Sequence, residues 1–130
     1  MGIILSMAKL RAGISSGDTF LAIDYLGSDQ QDQDKAPHVH VIKKGDRVAT
    51  IRLDSPFKVT GDIDNNVRRE AHYFISNNVG YLHYVFDVMT HNFYSRNEYC
   101  GPQNSDNRNR YIERFRTEFP NIPIDKAYLE

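Results

Sequence analysis

His38 and His40 stand two residues apart in Ala36-Pro37-His38-Val39-His40-Val41-Ile42, a stretch that reads as a strand opening at a proline. Side chains at i and i+2 of a strand point the same way, so the two imidazoles share one face. Histidine's unperturbed pKa lies nearest neutrality, which suits proton transfer in RNA cleavage and makes His38 and His40 the candidate catalytic pair. Two histidines at this spacing supply at most half of a tetrahedral metal shell, and no cysteine cluster completes it. No metal and no cofactor is therefore expected. The structural alternative has both rings bonded to backbone or a carboxylate, pinning the sheet to a neighbour.

Two further groups carry chemistry-bearing types. His83, Asp87 and His91 follow at i, i+4 and i+8 along one helical stripe, a spacing that can chelate a cation but more simply makes weak surface pairs. Arg108, Arg110, Arg114 and Arg116, with Tyr111 among them, form the chain's basic concentration. Arginine beside an aromatic is what a phosphate-and-base surface needs, so Arg110 and Arg114 are candidate nucleic-acid contacts within Arg108–Arg116. Glu113 and Glu118 dilute that charge, and a solvated helix face is the plainer reading. His72, Tyr73, Tyr81 and Tyr84 read as packing at the margins of helical stripes, where a ring with a wet tip is at home. There is no glycine-rich phosphate loop, nucleophile elbow or paired-carboxylate signature.

Elements must hold these groups. Residues 2–12 read as a strand or a short helix, the apolar run being too brief to decide. Thr19 to Leu26 reads as a strand after the turn chemistry of Ser15-Ser16-Gly17-Asp18, and residues 27–35 as an exposed polar loop. Strands over 37–42 and 47–53 are joined by Lys43-Lys44-Gly45-Asp46. A two-residue turn at Gly45-Asp46 would pair His40 with Ile51 and bury both imidazoles among aliphatics. A type I turn over Lys43-Lys44 with Gly45 left-handed adds a bulge and shifts the pairing by an odd count. Val39 and Val41 then join Ala49, Ile51 and Leu53 on the core side, and His38, His40, Thr50 and Arg52 fall together on the other. That register separates apolar from polar completely, and it is the one expected. Thr50 and Arg52 thereby become candidate binding residues.

After Pro56, Phe57–Thr60 reads as a short edge strand. Asp62 or Asp64 is placed to cap a helix whose apolar stripe is Val67, Ala71, Phe74 and Ile75. Asn77-Asn78 breaks it, asparagine tolerating a left-handed exit and capping the next helix. Val79, Leu82, Val85, Phe86, Met89 and Phe93 make a second, wider stripe. A loop over 92–107 holds Cys100-Gly101-Pro102, and a third helix, Asp106 to Phe119, packs Tyr111, Ile112, Phe115 and Phe119 before Pro120 stops it.

Length and composition bound the rest. A chain of 130 residues, 40 % apolar, with eight tyrosines and seven phenylalanines, is one globular domain (1–130, core about 17–93) able to bury a core without staples. Net charge of −1 exerts no global pull on nucleic acid or anionic membrane, so such binding would need a local patch. Cys100 is the single cysteine, which rules out a disulfide framework within the chain and fits a reducing, cytoplasmic setting. The apolar start, Met1 to Ser6, is short and lacks a basic leader, so it makes a poor signal peptide, although Met-Gly-x-x-x-Ser formally matches a myristoylation signal. No apolar run reaches the length of a membrane span, and no membrane partner is expected.

Pro37-His38-Val39-His40-Val41, then Ala49 to Asp54, then Gly61 and a helix beginning near Asn66, resembles a family of small bacterial domains of unknown function that carry a Pro-His-Phe-His-Val core. The resemblance covers about residues 17–93. It departs from the family in Val39, in the polar loop before the motif and in the third helix. It implies an α+β fold, a three- to four-stranded antiparallel sheet packed against two helices, here with a third C-terminal helix. It also implies a neighbour-encoded small protein partner, as in toxin–antitoxin-like pairs, and brings no catalytic residues with it. The leading expectation is a small cytoplasmic interaction module whose face of His38, His40, Thr50 and Arg52 meets that partner. One alternative is a ribonuclease-like toxin, with His38 or His40 as base and Arg52 or Arg114 holding phosphate. Another is a structural domain that self-associates as a homodimer through its aromatic surface.

Overall fold

The computed structural model describes residues 7–24, 36–90 and 105–120. The expected polar loop, His91, Phe93, Cys100 and the C-terminal tail lie outside them. Among the described residues five strands, β1 (Met7–Lys9), β2 (Thr19–Asp24), β3 (His38–Lys43), β4 (Asp46–Arg52) and β5 (Val59–Gly61), precede three helices, α1 (Asn65–Ser76), α2 (Val79–Thr90) and α3 (Ser105–Glu118). The strands form one antiparallel meander in chain order. The protein is thus α+β, with five strands where three or four were expected. The undecided segment near the N-terminus supplies one of them, since β1 gains a neighbour in Ile23 and Ala22 of β2 that no local pattern reveals.

The β3–β4 register places His38 opposite Arg52, Val39 opposite Ile51, His40 opposite Thr50 and Val41 opposite Ala49. This is the pairing read from the alternation of apolar and polar residues, reached by another route. Lys44 (φ 52°) and Gly45 (φ 85°) are both left-handed and join Lys43 directly to Asp46, the pattern of a type I′ two-residue turn. The bulge lies inside the ladder instead, between Val41 and Ile42, where Val48 is the extra residue on β4.

Leu21, Ile23, Val39, Val41, Ala49 and Ile51 share one face and are all buried, in a cluster with Val67, Ala71, Phe74 and Ile75 of α1. Asp64 occupies the N-cap of α1, and its carbonyl accepts the Arg68 N–H, but its carboxylate makes no capping hydrogen bond. At the other end Asn77 is right-handed (φ −89°) and not left-handed as expected; its side-chain amide donates to the Tyr73 carbonyl at 2.8 Å. The Asn78 carbonyl then accepts the Leu82 N–H and starts α2.

α2 is buried from Tyr81 to Met89 on every side, not along a stripe. Such a helix needs cover all round. α3 supplies part of it: Tyr111 lies against Tyr81 and Tyr84, and Phe115 meets Tyr84 edge-on. The tyrosines expected at the margin, Tyr81 and Tyr84, are therefore interior at 2 % and 0 % exposure. Tyr81 keeps its hydroxyl satisfied by donating to Glu118 at 2.7 Å, and Glu118 also accepts the Arg11 N–H at 3.1 Å. Burial and then that carboxylate push the Tyr81 pKa far up, so the phenol stays a donor. No helix among the described residues is long and apolar enough to cross a membrane.

Candidate functional site

β3 delivers His38 and His40 to one face, as their spacing requires, with ring centroids 5.0 Å apart. The His38 Nδ1–H donates to the Ala36 carbonyl at 2.9 Å, and its ring lies 5.2 Å from that of Phe86. His40 Nδ1 is 3.4 Å from the Thr50 hydroxyl. Both rings are buried, at 8 % and 7 % exposure, so the outward display expected of them is not what the fold provides. α2 covers part of this face through Phe86, and the rest of the reason lies one strand away. β2 sets Ala22 opposite His40 and Phe20 opposite Ile42, so this face carries apolar residues of its own, and Ala22 and Ile42 are fully buried. Reading β3 and β4 alone made the face look polar.

Arg52 is exposed but engaged. Its Nε and Nη2 donate to the two oxygens of Asp54 at 2.8 and 2.7 Å, a bidentate pair that holds the Asp54 carboxyl below the usual carboxylate range. Of the arginines on α3, Arg114 is exposed yet packs against α2. Its guanidinium lies 3.8 Å over the Tyr81 ring and donates to Asn78 Oδ1 at 2.9 Å. Arg110 is exposed and donates to Asn107, while Arg116 is exposed in the last turn. The two candidate phosphate contacts, Arg110 and Arg114, thus have different surroundings.

His83 and Asp87, expected in surface pairs, are buried at 5 % and 0 % exposure. His83 Nε2–H donates to the Leu53 carbonyl at 3.1 Å and ties α2 to the end of β4. No three histidine, cysteine, aspartate or glutamate side chains converge on an ion position among the described residues.

Sequence reading passed over a groove beside α1. Its volume is about 970 Å³, and Ile51, Pro56, Phe57, Val59, His72 and Tyr73 are among its lining residues. That volume lies at the upper end of the range for small-molecule sites. Phe57, left-handed at φ 60°, meets the His72 ring edge-on at 5.3 Å. Arg69, His72, Tyr73 and Ser76 recur at helical spacing, so they form one face of α1, and all four are exposed. Tyr73 is 75 % exposed, the one large apolar side chain so placed among the described residues. An aromatic on the polar side of an amphipathic stripe was the available signal. No family model matches the chain, and neither a curated protein nor a solved structure is significantly similar to it.

Proposed function

We propose that this protein is a small cytoplasmic interaction module, and that the groove beside α1 receives the partner in place of the histidine face of the sheet. The observation that supports this is the exposed Tyr73 at the rim of an apolar groove, while both imidazoles are buried. An aromatic anchor with a polar tip is the residue type that binding surfaces favour. A ribonuclease needs its acid and base within hydrogen-bond reach of an RNA hydroxyl, and buried rings oppose that. The resemblance of Pro37–Val41 adds the setting: the partner is a small protein encoded nearby, as in a toxin–antitoxin-like pair.

Co-expression with the neighbouring reading frames tests the proposal. The wild-type chain is expected to co-purify with one neighbour and leave RNA intact, and Tyr73→Asp to lower recovery at least tenfold. RNA cleavage that disappears in both His38→Ala and His40→Ala would replace this reading with the enzymatic one. A concentration-dependent homodimer with no neighbour bound would replace it with self-association.

A further inference from the structure

The groove has a chemistry beyond its apolar floor. Three cations, Lys58, Arg68 and Arg69, border it, and none makes an ion pair among the described residues. The carboxylate on the same border, Glu70, already accepts the Ser15 N–H through its two oxygens at 3.2 and 3.3 Å. The border is therefore net positive on a chain whose overall charge is −1.

β5 begins at this groove, with Val59 in its lining after Phe57 and Lys58, and it ends the sheet among the described residues. The Arg52 N–H donates to the Lys58 carbonyl at 3.0 Å and the Asp62 N–H to the Val48 carbonyl at 3.4 Å, with Thr60 opposite Thr50 between them. In an antiparallel ladder alternate residues turn their N–H and C=O to the same neighbour. Lys58, Thr60 and Asp62 face β4, so the N–H and C=O of Val59 and Gly61 face away from it, without a strand to meet them among the described residues. Strand addition at such an edge takes its affinity from the main chain and its specificity from pockets for alternate side chains.

We infer that the groove takes an extended, acidic peptide segment of the partner, paired with the outer edge of β5. Its alternate apolar side chains rest on Phe57, Val59 and Tyr73, and its carboxylates lie toward Lys58, Arg68 and Arg69. This inference rests on the reading of the protein as a binding module and deepens it by naming the ligand's chemistry. A basic segment meets like charge at the same border, and a helix cannot use the edge of β5.

Fluorescence anisotropy with the full chain and labelled octapeptides tests it. One peptide alternates valine and glutamate around a central phenylalanine, a second carries lysine for each glutamate, and a third is the acidic peptide N-methylated at alternate residues. The acidic peptide is expected to saturate the protein and to bind at least tenfold tighter than the lysine peptide. Its binding should weaken with added salt, as a surface attraction does. N-methylation should cost at least tenfold, and Arg68→Glu with Arg69→Glu should abolish the preference for glutamate. Equal or tighter binding of the lysine peptide, indifference to N-methylation, or no binding of any peptide would overturn the inference. Each of those results leaves the Tyr73-dependent recovery of a neighbour standing, so the broader reading fails only by its own experiment.

Discussion

Gly61 sits at φ +114°, where a Cβ would stand 2.4 Å from the Val48 carbonyl oxygen and 2.7 Å from Ala49 Cα. The nearest obstacles are backbone atoms of β4, at and beside the bulged residue Val48. Gly61→Ala is therefore expected to cost about 2 kcal/mol or more, from an unfavourable φ and an overlap no side chain can relieve. Gly45 is also left-handed, but a Cβ there meets nothing within 4 Å. Gly45→Ala should cost only about 1 kcal/mol. Urea midpoints of the two variants separate the two costs. The histidines teach a related lesson at this scale. Their shared face was legible in two residues of spacing, but their burial was not, because Phe86 of α2 meets His38 and Ala22 joins that face from a strand read separately.

Among the elements, β3 and β4 announced their register through alternation alone, because only one pairing puts Val39, Val41, Ala49 and Ile51 on a common side. The turn that delivers it was ambiguous, since a left-handed Lys44 beside Gly45 plus an internal bulge gives the same parity as a three-residue loop. The four-residue stripe of α1 was equally plain, and all of it is buried. α2 was misread because periodicity ranks faces only when one of them meets water, and here α3 takes the tyrosine side. That packing is close: a Cβ on Gly80 would stand 2.3 Å from the Tyr111 hydroxyl oxygen. Gly80→Ala is expected to displace Tyr111 and speed hydrogen exchange in α3 while leaving the sheet amides protected. Arg114→Ala removes the cation over Tyr81 and the bond to Asn78, and should cost about 1 kcal/mol with the same pattern of exchange. The groove was illegible for a different reason. It is assembled from Ala12 and Gly13, β4, the turn before β5, the first residue of β5 and α1, and no segment carries its outline.

For the molecule as a whole, a net charge near zero conceals local order. Asp54 is held below its ordinary value of 3.8 by the hydrogen bonds from Arg52, and Asp18 below the same value by those from Ser16 and Thr19. A carboxylate lowered in the folded state favours folding while it is charged. That contribution is complete above the ordinary value and is lost as the medium falls through the lowered one. Urea midpoints measured from pH 5 down to pH 3 should decline more steeply for the wild type than for a chain carrying Asp18→Asn and Asp54→Asn. The difference will be small, because both groups lie at the surface in contact with water.

The enclosure of α2 sets a timetable for the nascent chain. Its last residue is Thr90, and the helix that shields its tyrosines closes at Glu118, so the ribosome must add 28 further residues before that shield is complete. At ordinary elongation rates the delay is about 1–6 s, long compared with hydrophobic collapse. Through that interval Tyr81 and Tyr84 have no α3 rings to rest on, which makes the half-made protein a natural client for chaperones.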